Sequence, residues 1–439
     1  MKASTVKLGI SMLGLLGLAL AQPGAVSAAP RSFTHNEKGT TPTEELTDQD
    51  WQNMSSAERR ARWRKSTMSR YLDGAEKADI SRIQHYIDKF SAATVYDDRY
   101  YLFKVKATPV SGSQSDVDLA GEVYPAEYAS GVTDLLETLG FHVAKNDLVT
   151  LPKLESDQKP YGVSTTTAAT LRREPRRNAE QVNSVAQGGL IRVLRTARDS
   201  DITSRKTSFG HHAPGASKLP QDSASDWLLV QTMEGYLGFA RRADFKMTEK
   251  YTLPDGFVKH PTHLADSQTT VPAGIYLYGN PEAGWTLSDG QKLAADAEVV
   301  DLRPKFSADE ILEEFQPFLG TPYVWGGVTN QGIDCSGFSQ FFMRSAGALI
   351  PRDATQQATG GLIVAWGHDV LQKAKPGDLV FFTSGNGRVS HVAISLGGSR
   401  IIHSQGPGVH VSDLTDKHER DSDRQWIDSV IFARRLALR

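Results

Sequence analysis

The chain contains a single cysteine, Cys335, among its 439 residues. An intramolecular disulfide and a cysteine-based metal cluster both need several cysteines, so the sequence excludes both. The packing of hydrophobic cores must therefore stabilise the fold. A lone cysteine is most often a small buried hydrophobic residue, so a chemical role has to be argued from its neighbours.

The composition is that of a soluble globular protein. The 49 Lys and Arg residues nearly balance the 51 Asp and Glu residues, and 39% of the chain is hydrophobic. This balance disfavours an integral membrane protein, a long disordered chain and a strongly basic nucleic-acid binder. The length exceeds that of one compact core and predicts roughly two to four domains.

The first 29 residues have the features of a secretory signal. Lys2 and Lys7 form a short basic start, an apolar run follows from Leu8 to Ala21, and small residues from Val26 to Ala28 suit a signal peptidase. The apolar run is too short for a comfortable transmembrane span. We therefore predict a signal peptide over 1–29, export to the periplasm, the cell wall or the medium, and a mature protein without a membrane span. An uncleaved N-terminal anchor is the alternative.

Hydrophobic patterning divides the rest of the chain and predicts a multidomain α+β protein. The predicted regions are a linker and helical region (30–97), a small α/β module (98–155), two small β-barrels (156–248 and 249–304) and a C-terminal domain (305–439). We expect His142, in an apolar stretch of the α/β module, to pack inside it. The polar stretch 204–223 is a predicted loop of the first barrel.

Cys335 lies at a predicted junction between a loop and a helix. The glycine-containing segment Gly332–Gly337 leads into a helical run from Phe338 to Ala346. Free N–H groups and the positive end of the dipole at a helix N-terminus favour a thiolate, so we expect a lowered pKa for the thiol. The same N–H groups can face an oxyanion in acyl transfer.

Two histidines are candidates for the base that a cysteine nucleophile needs. His391 begins a predicted strand, and His403 lies on the next strand, after Gly397 and Gly398. A tight hairpin would make these strands antiparallel neighbours and place both imidazoles on one face. With Cys335 as nucleophile, His391 would be the general base and His403 the residue that orients it.

At these residues the C-terminal 130 or so residues resemble the NlpC/P60 cysteine peptidases, which are papain-like bacterial cell-wall hydrolases. The matching strings are Gly320–Gly327, Asp334–Phe338, Pro351–Ala354, Gln356–Gln357, Pro376–Phe382, His391–Ile394 and Ile402–Ser404. The resemblance implies the same roles for Cys335, His391 and His403, with the cysteine-bearing helix packed on a small antiparallel sheet. Tyr323 matches a tyrosine that the family has near the nucleophile, and the resemblance implies that it binds substrate.

The two regions of short strands resemble the bacterial SH3 domains of one branch of this family. Gly235–Ala240 matches a strand of that barrel, with Phe239 in place of the usual tryptophan. The branch acts on peptidoglycan stem peptides that have a free N-terminal L-Ala, and it cleaves the bond between γ-D-Glu and the diamino acid. The first SH3 domain would then close the glycan side of the cleft.

The same branch implies a subsite for the free α-amine of the substrate. Asp334 and Ser336 would hold the ammonium group, since an anion beside an ammonium is favourable in a partly buried site. Arg352 would contact a substrate carboxylate or form a structural ion pair, and the residues leave both open.

Two other functions compete with the peptidase. One is an amidase of the related Cys-His type, which would cut between muramic acid and L-Ala without needing a free amine; Asp334 beside Cys335 favours the peptidase over it. The other is a non-catalytic protein that binds peptidoglycan through its barrels. We predict no metal and no cofactor, since the chain has no His-Glu-x-x-His and no phosphate-binding Gly-Lys-Ser/Thr loop, and the pair His211-His212 has no spaced third ligand. The predicted partners are stem peptides or muropeptides and not nucleic acid.

Overall fold

The computed structural model describes residues 68, 71–202, 223–415 and 426–436. These residues belong to one compact unit, Arg62–Arg439. The predicted signal peptide, most of the predicted linker and helical region, the loop from 204 to 222, and His211 and His212 lie outside the described residues. Within the described ranges, no helix is long and apolar enough to cross a membrane.

The N-terminal module combines a three-stranded sheet with two helices. Its elements are α1 (Ile83–Thr94), β1 (Leu102–Pro109), β2 (Asp116–Tyr124), α2 (Glu127–Thr138) and β3 (His142–Thr150). The strands β1 and β2 are antiparallel, and the chain returns through α2 so that β3 runs parallel to β2. Gly140 has a φ of 88° just after α2, which is the left-handed ending that favours glycine.

His142 does not pack inside this module, so that expectation was wrong. Its side chain is 75% exposed, and Nδ1 lies 3.1 Å from a carboxylate oxygen of Asp116. The residue begins β3 on the solvent side of the sheet edge, where the apolar neighbours in sequence point elsewhere because side chains alternate along a strand.

The next region forms a seven-stranded antiparallel sheet. Its strands are β4 (Tyr161–Ser164), β5 (Ala168–Arg172), β6 (Gln181–Ala186), β7 (Leu190–Thr196), β8 (Trp227–Thr232), β9 (Leu237–Arg241) and β10 (Phe245–Thr248). Their order is β10-β4-β7-β8-β9-β5-β6. Gly235, with a φ of 91°, lies in the tight turn between β8 and β9, as the sequence predicts.

A smaller group of strands follows. Its members are β11 (Gly256–Val258), β12 (Thr262–His263), β13 (Thr270–Val271), β14 (Tyr276–Asn280), β15 (Gly284–Thr286) and β16 (Val299–Asp301). Four of them form a sheet in the order β15-β14-β11-β16, and β12 pairs with β13. Their small core is separate from that of the seven-stranded sheet.

The C-terminal region places helices against a six-stranded antiparallel sheet. The helices are α3 (Ala308–Phe315), α4 (Cys335–Ser345), α5 (Ala354–Gln357) and α6 (Val370–Lys373). The strands are β17 (Val328–Thr329), β18 (Gly332–Ile333), β19 (Leu362–Trp366), β20 (Leu379–Thr383), β21 (Val389–Gly397), β22 (Arg400–Gln405), β23 (Gly408–Asp413) and β24 (Val430–Arg435). The sheet has the order β19-β24-β20-β21-β22-β23, and α4 packs on β21 and β22.

Local sequence explains how α3 begins. Ser307 caps the helix by accepting a hydrogen bond from the N–H of Glu310, and the Glu310 carboxylate accepts one from the N–H of Ser307. This capping box is the one the sequence predicts. The regular helix ends at Phe315 and continues as a 3-10 turn to Phe318, because Pro317 has no N–H to donate to the helix.

The regions before residue 305 contact the C-terminal sheet at several places, including the edge strand β19 and the turn between β20 and β21. The seven-stranded sheet meets the edge strand β19, where Trp366 Nε1 donates to Gln231 Oε1 at 2.8 Å. The helix α2 meets the turn between β20 and β21, where Ser130 Oγ donates to the carbonyl of Gly385 at 3.3 Å. That turn leads directly into β21, the strand that carries His391, so the N-terminal module packs against the segment that precedes this histidine.

Candidate active site

The helix α4 begins at Cys335. Asp334 is its N-cap, and the Asp334 carboxylate accepts a hydrogen bond from the N–H of Gly337 at 2.7 Å. The thiol therefore lies at the first position of an eleven-residue helix, as the sequence predicts. The thiol also lies close to the neighbouring sheet, where the backbone N–H of Val392 on β21 favours its thiolate form.

The pKa of the Cys335 thiol is raised and not lowered, so the expectation from the helix N-terminus was wrong. Burial is the largest cause, and the negative charge of Asp334 adds to it. The N–H groups of Val392 and of the first helical residues act in the opposite direction, as the helix argument requires, but their effect is smaller. Burial at this position therefore favours the protonated thiol over the thiolate.

His391 and His403 lie together on β21 and β22, which form the predicted hairpin. His391 Nε2 and His403 Nδ1 are 2.8 Å apart. The two residues are only 3% and 0% exposed, so their ring nitrogens are held by protein groups. His391 directly precedes Val392, the residue of β21 whose backbone N–H faces the Cys335 sulfur, so the packing of β21 on α4 brings the histidine pair to the start of that helix.

The strand β22 is also tied to the loop before the nucleophile. Ser404 Oγ donates to the carbonyl of Ile333 at 2.7 Å, one residue after His403 and two residues before Cys335. This hydrogen bond fixes the spacing between the helix that carries the thiol and the strand that carries the second histidine.

Arg352 forms an ion pair with Asp334. Its guanidinium nitrogens lie 2.9 and 2.7 Å from the two carboxylate oxygens, and it also donates to Ser336 Oγ at 2.8 Å. The Asp334 carboxylate also accepts from the N–H of Gly326. The structure thus brings Asp334, Ser336 and Arg352 together. Of the two alternatives for Arg352, a substrate contact or a structural ion pair, it shows the ion pair.

The charge of Asp334 is stabilised by these partners. Burial alone would raise the pKa of its carboxyl group, but Arg352 and the N–H groups of Gly337 and Gly326 outweigh burial, and the pKa is lowered. Asp334 is therefore ionised and already neutralised by a cation.

Tyr323 lies beside the nucleophile. Its backbone forms an isolated β-bridge with Ile333. Burial raises the pKa of its hydroxyl, and nearby Cys335 and Asp334 raise that pKa further. The hydroxyl therefore stays protonated and can donate a hydrogen bond at neutral pH.

The comparisons with known proteins match this region. The model of the NlpC/P60 family matches residues 320–426. Residues 320–426 form an NlpC/P60 domain. The match contains Cys335, His391 and His403 and all four predicted substrate-binding residues.

Two curated relatives come from Bacillus subtilis strain 168. The gamma-D-glutamyl-L-lysine dipeptidyl-peptidase is 36% identical over 129 residues, which cover 29% of this chain and 42% of the relative. The gamma-DL-glutamyl hydrolase is 31% identical over 172 residues, which cover 36% of this chain and 39% of that protein. The chain thus spans less than half of either relative. A solved structure of the NlpC/p60 domain of the peptidoglycan hydrolase SagA is 33% identical, with a TM-score of 0.24, over 30% of this chain and 100% of that one.

Two residues of the NlpC/P60 domain were not predicted from the sequence. The indole of Trp426 stacks on the His391 ring, with 4.4 Å between ring centroids and 21° between planes. His410 lies on β23 directly opposite His403. Continuing the predicted hairpin by one more strand would have found His410, whereas Trp426 comes 35 positions after His391 and has no local pattern that indicates it.

Proposed function

We propose that the protein is an exported cysteine peptidase that hydrolyses peptidoglycan stem peptides. The bond is the one between γ-D-Glu and the diamino acid, in peptides with a free N-terminal L-Ala. The observation that carries this proposal is the His391–His403 hydrogen bond beside a cysteine at a helix N-terminus. The name of the relative, gamma-D-glutamyl-L-lysine dipeptidyl-peptidase, supports the choice of bond.

The chemistry follows from the three side chains. His391 accepts the proton of the Cys335 thiol, and the thiolate attacks the carbonyl carbon of the scissile amide. The N–H groups at the start of α4 stabilise the oxyanion. The protonated His391 then gives its proton to the departing amine, which leaves a thioester on Cys335. Water, activated by the same imidazole, hydrolyses the thioester and restores the thiol.

The raised pKa of the thiol explains why the base matters. A cysteine that ionised by itself would need His391 only to protonate the leaving group. Since burial disfavours the thiolate here, transfer of the thiol proton to His391 is what makes the thiolate available for attack. Tyr323, as a protonated donor at the nucleophile, is suited to the oxyanion or to a substrate carbonyl.

In this proposal Asp334 and Ser336 bind the free α-amine of L-Ala. Arg352 neutralises Asp334 but is itself 31% exposed along its side chain, so the pair borders the solvent-facing part of the site. An incoming ammonium would share Asp334 with Arg352, and the Ser336 hydroxyl would accept from it. Arg352 then holds the carboxylate in place and lowers its affinity for the amine.

The regions before residue 305 have proposed roles in wall binding. We assign the β4–β10 and β11–β16 strands to two SH3-like barrels that help to dock the enzyme on peptidoglycan. The β4–β10 sheet packs at the β19 edge of the C-terminal sheet, where Trp366 donates to Gln231. Export rests on the predicted signal peptide.

The amidase is the second candidate. The observation in its favour is the Asp334–Arg352 ion pair, because a neutralised carboxylate has less need of an ammonium partner. The two activities differ in whether the substrate must have a free amine.

The deciding experiment uses residues 30–439 and the Cys335→Ala variant. Each is incubated with L-Ala-γ-D-Glu-diaminopimelate and with the same peptide N-acetylated, and the products are identified by mass spectrometry. We expect L-Ala-γ-D-Glu from the free peptide alone and from the cysteine-containing enzyme alone. Thermal unfolding of both proteins controls for loss of structure.

Each other outcome changes a named part of the proposal. Equal cleavage of both peptides would keep the peptidase and reject amine recognition by Asp334. Cleavage of neither peptide, with release of stem peptides from intact muropeptides, would replace the peptidase by the amidase. Failure in both assays, with binding to peptidoglycan retained, would leave the non-catalytic protein.

A further inference from the structure

A third imidazole extends the His391–His403 pair. His410 lies on β23 with its Cα directly opposite that of His403, and the two Nε2 atoms are 3.2 Å apart. The other ring nitrogen of His410, Nδ1, lies 2.8 Å from the backbone carbonyl oxygen of Gly408. His403 Nε2 also lies 3.1 Å from Ser412 Oγ.

The carbonyl oxygen fixes where the protons lie. A carbonyl only accepts, so His410 Nδ1 carries the proton of that hydrogen bond. In a neutral imidazole the other nitrogen is then an acceptor, and His410 Nε2 accepts from His403 Nε2. A hydroxyl either donates or accepts, so the Ser412 contact by itself is compatible with both directions.

The position of the proton on His403 determines the position of the proton on His391. If His403 carries its proton on Nε2, its Nδ1 is an acceptor, and His391 Nε2 donates to it across the 2.8 Å contact. His391 Nδ1 is then the nitrogen with a lone pair, and it can take the thiol proton. The opposite tautomer of His403 would force the His391 proton onto Nδ1 and block that transfer.

Gly408 is suited to its place at the end of this series of hydrogen bonds, where its carbonyl accepts from His410. It has a φ of 126°, in the region that favours glycine, and a Cβ atom there would lie 2.2 Å from the carbonyl oxygen of Thr321. The carbonyl that accepts from His410 is therefore part of a backbone segment that only glycine fits.

We propose that His410 is a positioning residue that sets the tautomer of His403 and, through it, keeps the proton-accepting nitrogen of His391 toward Cys335. This inference deepens the proposed function and rests on it, because it assigns a role in the reaction of His391 as a base. It extends the pair of histidines to a chain of three with the proton direction fixed at Gly408.

The test compares His410→Phe with His410→Gln. Phenylalanine keeps a planar ring but has no nitrogen, whereas the glutamine amide can accept from His403. We expect His410→Phe to lower kcat about three- to tenfold with little change in KM, which corresponds to about one hydrogen bond. His410→Gln should stay within roughly twofold of the parent enzyme, in keeping with a retained acceptor.

A second readout does not depend on activity. Nitrogen-15 NMR of the histidine rings in the Cys335→Ala protein reports which nitrogen carries each proton. We expect the proton on Nε2 in His391 and His403 and on Nδ1 in His410, and Ser412→Ala should keep this pattern. His410→Phe should raise the fraction of His403 protonated on Nδ1.

Three results would overturn the proposal. They are His403 protonated on Nδ1 in the parent protein, equal loss of kcat in the phenylalanine and glutamine variants, or an unchanged kcat in His410→Phe. If no hydrolysis is found for any protein, the proposed function fails, while the NMR pattern still decides whether His410 sets the tautomer. Should His410→Phe not fold, the parent and Ser412→Ala spectra still decide it.

Discussion

The N-terminal and C-terminal sheets place their histidines in opposite environments. In the N-terminal module, His142 is 75% exposed and its contact is a surface carboxylate, Asp116. In the C-terminal sheet, His391 and His403 are almost completely buried, and the partner of each includes another imidazole. Water can satisfy the first ring in any tautomer, whereas buried rings must take the tautomers their neighbours allow. Burial with defined partners is the structural difference between His391 and His403 on one side and His142 on the other.

The largest expected effect comes from removing the orienting ring. His403→Leu leaves the His391 proton without an acceptor at Nδ1 of residue 403, so we expect kcat to fall by about a hundredfold or more. His403→Asn supplies a carbonyl acceptor and should recover part of the loss. Steady-state kinetics on the free tripeptide measures both, and a kcat for His403→Leu within threefold of the parent would contradict the role.

The same two sheets show what sequence reasoning can predict. Position within a local element was predictable: Cys335 at the start of α4, the Ser307–Glu310 capping box, and the hairpin that pairs His391 with His403 all follow from nearby residues. Each depends on contacts within about a dozen positions along the chain.

Properties that depend on packing were not predictable. The thiol pKa reverses its expected direction because the sheet buries Cys335, and no local pattern gives the amount of burial. Trp426 reaches His391 from the turn that precedes β24, far along the chain. His142 was assigned to a core because its sequence neighbours are apolar, although the sheet edge turns its side chain to solvent.

A second prediction contrasts two aspartates, Asp334 at the start of α4 and Asp116 on β2 of the N-terminal sheet. Asp334→Asn keeps the helix cap but removes the ion pair with Arg352, so we expect the free energy of unfolding at pH 7 to fall by about 1–2 kcal/mol. Asp116→Asn, at the exposed contact with His142, is the matched control and should change it by less than about 0.5 kcal/mol. Urea unfolding of the three proteins measures both.

The pH dependence of that stability has a defined sign. The pKa of Asp334 is lowered in the folded state by Arg352 and backbone N–H groups against the opposing effect of burial. Its contribution is therefore present above the unfolded pKa, about 3.9, and is lost as pH falls through the folded value. Asp334→Asn should flatten this acid limb, and an unchanged limb would show that the pair does not stabilise the fold.

A smaller effect is expected from the ring that covers His391. Trp426→Leu removes the stacked contact and should lower kcat about three- to tenfold, the range expected for one aromatic pair. Trp426→Phe keeps an aromatic face, so its activation free energy should rise by less than about half as much as that of Trp426→Leu. Kinetics at fixed pH compares them, and equal losses in both variants would show that the indole acts through something other than stacking.

The smallest expected effect is at His142, and it tests the comparison itself. If an exposed histidine takes no part in the reaction, His142→Ala should leave kcat unchanged. It should also alter the free energy of unfolding by less than about 0.5 kcal/mol, because the contact between His142 and Asp116 is solvent-exposed. Kinetics and urea unfolding are measured beside His403→Leu. A loss of kcat in His142→Ala would mean that the N-terminal sheet communicates with the active site, through the α2 contact with the turn that leads into β21. In that case Ser130→Ala, which removes the hydrogen bond to Gly385, should reproduce the loss.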